Sequence, residues 1–128
     1  ITGTLPSEMG RMRRLVLLEL SNNAFTGTVP SQLGSLVDMR DRIDLSYNHL
    51  TGQLPSELGN LTRLRVFELN NNKISGTIPP ELGALVRITT LSLESNDLVG
   101  TVPWELCNTF NQTYPAFSSD CSEFEDDC

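Results

Sequence analysis

The chain has 128 residues, a mass of 14.2 kDa, a net charge of −7 and 38% apolar residues, the profile of one small domain rather than a multidomain enzyme. No stretch approaches the roughly 18 apolar residues of a membrane span, so no membrane contact is expected from this segment itself. The acidic balance excludes a nucleic-acid binder, which must neutralise phosphates with clustered Lys and Arg. Much of the acid is local: Asp120, Glu123, Glu125, Asp126 and Asp127 crowd the C-terminus, and residues 1–117 carry 11 acids against nine bases. Ile1-Thr2-Gly3-Thr4 offers neither an initiator Met nor a leader pattern, so the sequence reads as a piece of a longer protein.

A repeat governs the chain. Gly3, Gly27, Gly52, Gly76 and Gly100 recur at steps of 24, 25, 24 and 24, each followed two and three residues later by an aliphatic residue and Pro. A second phase runs alongside it: Leu18-Glu19-Leu20-Ser21-Asn22-Asn23, Ile43-Asp44-Leu45-Ser46-Tyr47-Asn48, Phe67-Glu68-Leu69-Asn70-Asn71-Asn72 and Leu91-Ser92-Leu93-Glu94-Ser95-Asn96. A fixed period of this size marks stacked units that share one core.

Within each unit the elements follow in order. The apolar-x-apolar pair alternates at period two, so it predicts a short strand with both apolar side chains on one face. Asn23, Asn48, Asn72 and Asn96 stand where the chain turns inward; a carboxamide has the donors and the acceptor to satisfy buried turn backbone, and these four are read as a structural ladder. Gly permits a positive φ, and Pro sets φ at the start of a short helical return such as Pro55-Ser56-Glu57-Leu58-Gly59. The returns add Leu33, Leu36, Leu58, Leu61, Leu82 and Leu85 to the core. Two irregularities stand out. The unit from Gly27 has one additional residue around Val37–Asp41, expected as a bulge on the return side, and Leu17 and Val66 place apolar groups on the outward strand face.

This pattern resembles the plant-type extracellular leucine-rich repeat, LxxLxLxxNxLxGxIPxxLGxLxx, over residues 1–106: a partial repeat at 1–6, four full repeats and the start of a fifth. The resemblance implies an α/β solenoid, a right-handed curved superhelix with a concave parallel β-sheet and short 3-10 helices on the convex side. It is similar in this to receptor-kinase ectodomains and to polygalacturonase-inhibiting proteins. Residues 107–128 form a cysteine-containing acidic cap and tail that looks like the ending of secreted algal or diatom-type repeat proteins.

On such a sheet the outward residues between the core aliphatics are Glu19, Asp44, Glu68 and Ser92, so three carboxylates stand in one file. Arg42 and Arg65 are in phase to neutralise it. The file is either a solvated face balanced by these arginines or a surface for a basic ligand; a metal cage needs six or more oxygens in a tighter arrangement, and no metal or cofactor is expected. The next columns hold Glu94, and then Tyr47 with Asn71; Tyr47 combines large contact area with a polar tip, as interface residues do. Glu19, Asp44, Glu68, Tyr47, Asn71, Glu94, Arg42 and Arg65 are therefore the candidate ligand-binding residues.

No catalytic constellation is present. The single His49 follows the structural Asn48 with no partner nucleophile, an open acid file cannot separate the pKa values of two carboxylates as glycoside hydrolysis requires, and neither a phosphate loop nor zinc spacing occurs. The chain is not read as an enzyme.

After Pro103 the repeat decays into Trp104, Cys107, Phe110, Tyr114, Phe117 and Cys121, aromatics suited to cover the last core layer. Of three possible single pairings, Cys107 with Cys121 is preferred; closing a loop of about 15 residues would stabilise by about 3 kcal/mol. Cys128 is left for a partner beyond this segment. Sequons at Asn60-Leu61-Thr62 and Asn111-Gln112-Thr113 add to a secretory, extracellular or cell-surface location. The expected function is recognition of a protein or peptide ligand, basic in keeping with the acid file, on the concave face. The rivals are an inhibitor of a wall-degrading hydrolase and a structural or adhesive surface protein.

Overall fold

The computed structural model describes residues 1–111. In chain order the elements are β1 (Thr2–Thr4), the 3-10 segment η1 (Ser7–Arg11), β2 (Leu17–Glu19), β3 (Ala24–Thr26), η2 (Ser31–Ser35), β4 (Arg42–Asp44) and β5 (Thr51–Gly52). There follow η3 (Ser56–Asn60), β6 (Val66–Glu68), β7 (Lys73–Gly76), η4 (Pro80–Ala84), β8 (Thr90–Ser92), β9 (Asp97–Leu98) and the helix α1 (Trp104–Asn111). Strands β2, β4, β6 and β8 form one parallel sheet in that order, in the register Leu18, Ile43, Phe67, Leu91. These four side chains are buried, as the period-two pattern requires, and residues on either side of them point outward.

The 3-10 segments begin the same way each time. Pro6, Pro30, Pro55 and Pro79 hold φ between −74° and −64° immediately before η1 to η4, and each Pro carbonyl accepts the amide three residues on. Neighbouring segments nearly touch: a Cβ on Gly34 would overlap the Glu57 carbonyl, and one on Gly59 would overlap the Glu81 carbonyl. The core between sheet and 3-10 face is continuous, and Leu33, Leu36, Leu58, Leu61, Leu82 and Leu85 are all at or below 1% exposure.

The asparagine ladder joins repeats rather than serving each one alone. Asn48 Nδ2 donates to the carbonyls of Leu45 and Ser46 in its own turn and of Leu20 in the preceding repeat, while its Oδ1 accepts the Phe25 amide. Asn72 and Asn96 repeat this arrangement, taking the amides of Leu50 and Ile74. Asn23 ties its own turn and takes the Ile1 ammonium instead.

Three features differ from the sequence reading. The additional residue is not on the return side. Met39 and Ile43, both fully buried, are four residues apart, whereas Leu15–Leu18, Leu64–Phe67 and Ile88–Leu91 are three apart. It therefore lies at Arg40-Asp41, on the entry to β4, where both amides aim at the Val16 carbonyl at 3.5 and 3.0 Å. A second ribbon of short parallel pairings, β1–β3 and β5–β7–β9, follows the asparagine turns. At the C-terminal end Leu106 and Phe110 of α1 cover the last layer, while Trp104 is 66% exposed: as the first residue of α1 it lies two places before Leu106, off the buried face of the helix. Tyr114 and Phe117 lie outside the described residues. The N-terminal repeat is the least enclosed, with Leu15 and Leu20 half-buried where Met39 and Leu45 are fully buried.

Candidate ligand-binding face

The outward side of the β2–β4–β6–β8 sheet carries two files of side chains. One reads Leu17, Arg42, Val66, Thr90 and the other Glu19, Asp44, Glu68, Ser92, each partnered directly across the strands. Arg42 thus projects from an apolar file and lies beside the acidic one. Its guanidinium reaches Glu19 at 3.7 Å and Glu68 at 3.6 Å, one on each neighbouring strand. Pairs at these distances and this exposure contribute little to stability; they fix the arginine over the centre of the face. Arg65, expected to share this role, makes no ion pair among the described residues. It lies one position earlier relative to the buried Phe67 than Arg42 does to Ile43, is exposed, and contributes its backbone carbonyl to the Thr89 amide and hydroxyl.

The carboxylates of the file are not equivalent. Partial burial disfavours the Asp44 anion, but the Ser46 hydroxyl at 2.6 Å and amide at 3.0 Å, the Ser21 hydroxyl and the Arg42 charge outweigh it and hold the carboxyl below its ordinary value. Glu68 is pushed the other way. Burial and the Asp44 charge raise it, Arg42 opposes them, and Glu94 and Glu19 add to the rise. Glu94 is half-buried, and its Oε2 is buried without a hydrogen-bond partner among the described residues. Four carboxylates share this face with one guanidinium, which pairs with Glu19 and Glu68, and the acid is least satisfied toward Glu94.

Tyr47 is 54% exposed and adopts φ 53°, in a column with Asn22, Asn71 and Ser95 at φ 56°, 57° and 56°. Asn tolerates this left-handed conformation, while a bulky aromatic does not favour it. The strain persists because the flanking turns hold the backbone: the Tyr47 amide donates to Asn70 and its carbonyl accepts from Asn23. Leu17, 43% exposed, adds an apolar contact at the opposite edge. Sequence reasoning missed Ser46 as the anchor of Asp44, although Asp-x-Ser spacing carries the signal for a side chain that accepts from the backbone two residues on.

Among the described residues no group of three or more His, Cys, Asp or Glu side chains is placed to hold a metal ion, and no helix is long and apolar enough to cross a membrane. Asn60 ends η3 and is exposed on the 3-10 face. The Asn111 sequon runs beyond the described residues. Cys107 is disulfide-bonded; Cys121 and Cys128 lie outside the described residues.

Known proteins share this build. Leucine-rich-repeat family models match residues 41–98 and 14–36, whereas no curated protein gives a sequence match. The structure of the BIR3–SERK2 complex from Arabidopsis thaliana is similar with a TM-score of 0.78 and 37% identity, over 88% of this chain and 60% of that one. The plant peptide hormone receptor RGFR1 in complex with RGF2 is similar with a TM-score of 0.82 and 35% identity, over 85% of this chain and 17% of the receptor. The Arabidopsis receptor kinase HAESA, in complex with the peptide hormone IDA and the co-receptor SERK1, gives a TM-score of 0.80 and 32% identity over 84% and 18%. The chain therefore spans less than two thirds of the first of these relatives and less than a fifth of the other two. Repeat length, asparagine ladder, parallel strands backed by 3-10 segments and these likenesses agree: the chain belongs to the leucine-rich-repeat family and carries repeats of the plant receptor-ectodomain type.

Proposed function

We propose that this chain is a recognition module of an extracellular or cell-surface protein, and that it binds a peptide or protein along the outward, concave face of its strand sheet rather than catalysing a reaction. The observation that carries the reading is the composition of that face: Tyr47 and Leu17 stand exposed beside four carboxylates and a single Arg42. A rigid sheet presents such groups with little ordering cost on binding, and an excess of acid selects a basic partner and speeds its approach. Similar structures include receptors in complex with peptide hormones, which supports a peptide or protein as the class of ligand. A glycan on the exposed Asn60 would leave the strand face open. The repeats at 1–106 would do the recognising, with 107–128 as a cap held by a Cys107–Cys121 bridge.

Capture from a displayed peptide library by the 128-residue chain tests the reading. Selected peptides should be rich in Lys or Arg, and their binding should be lost in the combined Glu19→Ala, Asp44→Ala and Glu68→Ala variant with its circular dichroism unchanged. Binding that survives these changes overturns the site. Inhibition of a wall polysaccharide hydrolase without any peptide capture would replace recognition with inhibition.

A further inference from the structure

The charges of the described residues are sorted into stripes that run from repeat to repeat. The turn between each 3-10 segment and the next strand carries Arg14, Arg40, Arg63, Arg65 and Arg87, all exposed. Arg63 lies 3.5 Å from Asp38 of the preceding repeat, which fixes the column. This flank has no lysine, the chain's single Lys being Lys73, and the guanidinium fork suits carboxylates. On the adjoining 3-10 face an acid stands at the second position of successive segments: Glu8, Glu57, Glu81 and, at the start of α1, Glu105.

The two stripes have the same period because one repeat generates both. They also share an interruption. The acidic stripe breaks at Gln32, and in that repeat the flank is not basic, since Asp38 and Asp41 outweigh Arg40. Within one chain the stripes do not pair: among the described residues the flank's ion pair is Arg63–Asp38, and the glutamates of the 3-10 stripe have none. Equal period, opposite sign and a matched gap make them complementary in register when two chains lie side by side in parallel.

We propose that the chain associates laterally with a second copy, the glutamate stripe of one chain lying along the arginine flank of the other. The contact joins two different surfaces, so each added copy leaves one stripe open and the association extends beyond a dimer. It uses no residue of the strand face and is independent of any ligand bound there.

Sedimentation velocity of the full chain decides it. Association should appear at about 0.01 M salt, where the screening length is about 30 Å, and vanish at about 1 M, where it is about 3 Å. Arg63→Glu with Arg87→Glu, and separately Glu57→Arg with Glu81→Arg, should each give monomers at low salt with unchanged circular dichroism. A mixture of the two variants should associate again at low salt, since the native glutamate stripe of one meets the native arginine flank of the other and the two reversed stripes are complementary in turn. A wild-type monomer at low salt, or association indifferent to salt and to both variants, overturns the proposal. Retention of a monomeric wild type on dextran sulfate, lost in the arginine variant, also overturns it and assigns the flank to an anionic polysaccharide.

Discussion

Replacing Asn72 by Ala isolates what the asparagine ladder contributes apart from the leucine core. The Leu50 amide, on a fully buried residue, would lose Asn72 Oδ1 at 2.9 Å, its sole acceptor among the described residues. The carbonyls of Leu45 and Leu69 would also lose the Asn72 amide group, but Asn48 still serves the first and Asn96 the second. One orphaned buried donor costs about 1–3 kcal/mol, and two weakened acceptors bring the expected loss to about 2–4 kcal/mol. Asn23→Ala is the internal control. Its carboxamide is half-buried and takes the exposed Ile1 ammonium, so the expected cost is below about 1 kcal/mol. Urea unfolding of both variants, with midpoints and slopes compared, measures the difference. Equal costs at the two positions, or less than about 1 kcal/mol at Asn72, would refute the reasoning.

Asn72→Asp refines the same test. It keeps the acceptor for Leu50 but turns an oxygen toward the Leu45 and Leu69 carbonyls, which the native amide serves as donor. Facing those carbonyls and buried, the new carboxyl has a folded pKa raised above the ordinary value of about 3.9. The folded state then holds its proton more tightly than the unfolded state, so this variant's stability falls as pH rises through the raised pKa. A deficit relative to wild type that is no smaller on the acid side than at neutral pH would contradict the assigned donor role.

Gly59→Ala drives a Cβ into the Glu81 carbonyl and should cost about 1–3 kcal/mol in the same urea assay, whereas an unchanged midpoint would mean that the 3-10 segments separate freely. Tyr47→Asn should gain about 1 kcal/mol, because Asn relieves the left-handed strain at φ 53°, and should weaken capture of the selected peptides; unchanged binding would remove Tyr47 from the site. Glu68→Gln bears on pH. In the native protein burial and Asp44 raise the Glu68 carboxyl above 4.5, so its contribution favours folding when protonated and fades as pH rises through the raised value, while Asp44, depressed below 3.8, stabilises above that value and ceases to do so as pH falls. Thermal unfolding at about pH 4 and about pH 7 should therefore show Glu68→Gln improving relative to wild type at the higher pH; a gap that is constant or reversed would mean that the partial burial of Glu68 does not disfavour its charge.

The interior was legible because two periods constrain it at once. A residue such as Phe67 or Leu58 occupies a column set by the repeat and a face set by strand or return, and few other placements bury both. Where only one period applied, the reading slipped. The Gly-to-Gly step shows that the second repeat has an additional residue but not where it lies; the spacing from Met39 to Ile43 locates it, once Met39 is recognised as a core position. The closing segment was read for its aromatics, yet Leu106, not Trp104, faces the last layer, because α1 continues the place of a 3-10 segment and inherits its buried leucine position.

The strand face was legible as a set of positions but not as a balance of charges. Arg42 and Arg65 differ by one residue of phase, and that residue decides which of them stands among the acids. Asp44 and Glu68 occupy the same file, yet Ser46 stands two residues after the first and Asn70 after the second; the short serine donates both hydroxyl and amide to Asp44. No periodicity contains this, since exposed polar positions vary between repeats at little cost to the fold. The outcome is a graded face: Arg42 spans Glu19 and Glu68, Ser46 serves Asp44 on β4, and toward β8 stand Glu68, with a pKa raised in spite of Arg42, and Glu94, with an oxygen that has no hydrogen-bond partner among the described residues. On the proposed reading a ligand cation gains more toward β8 than toward β2, and a bound basic peptide should lie with its strongest contact there.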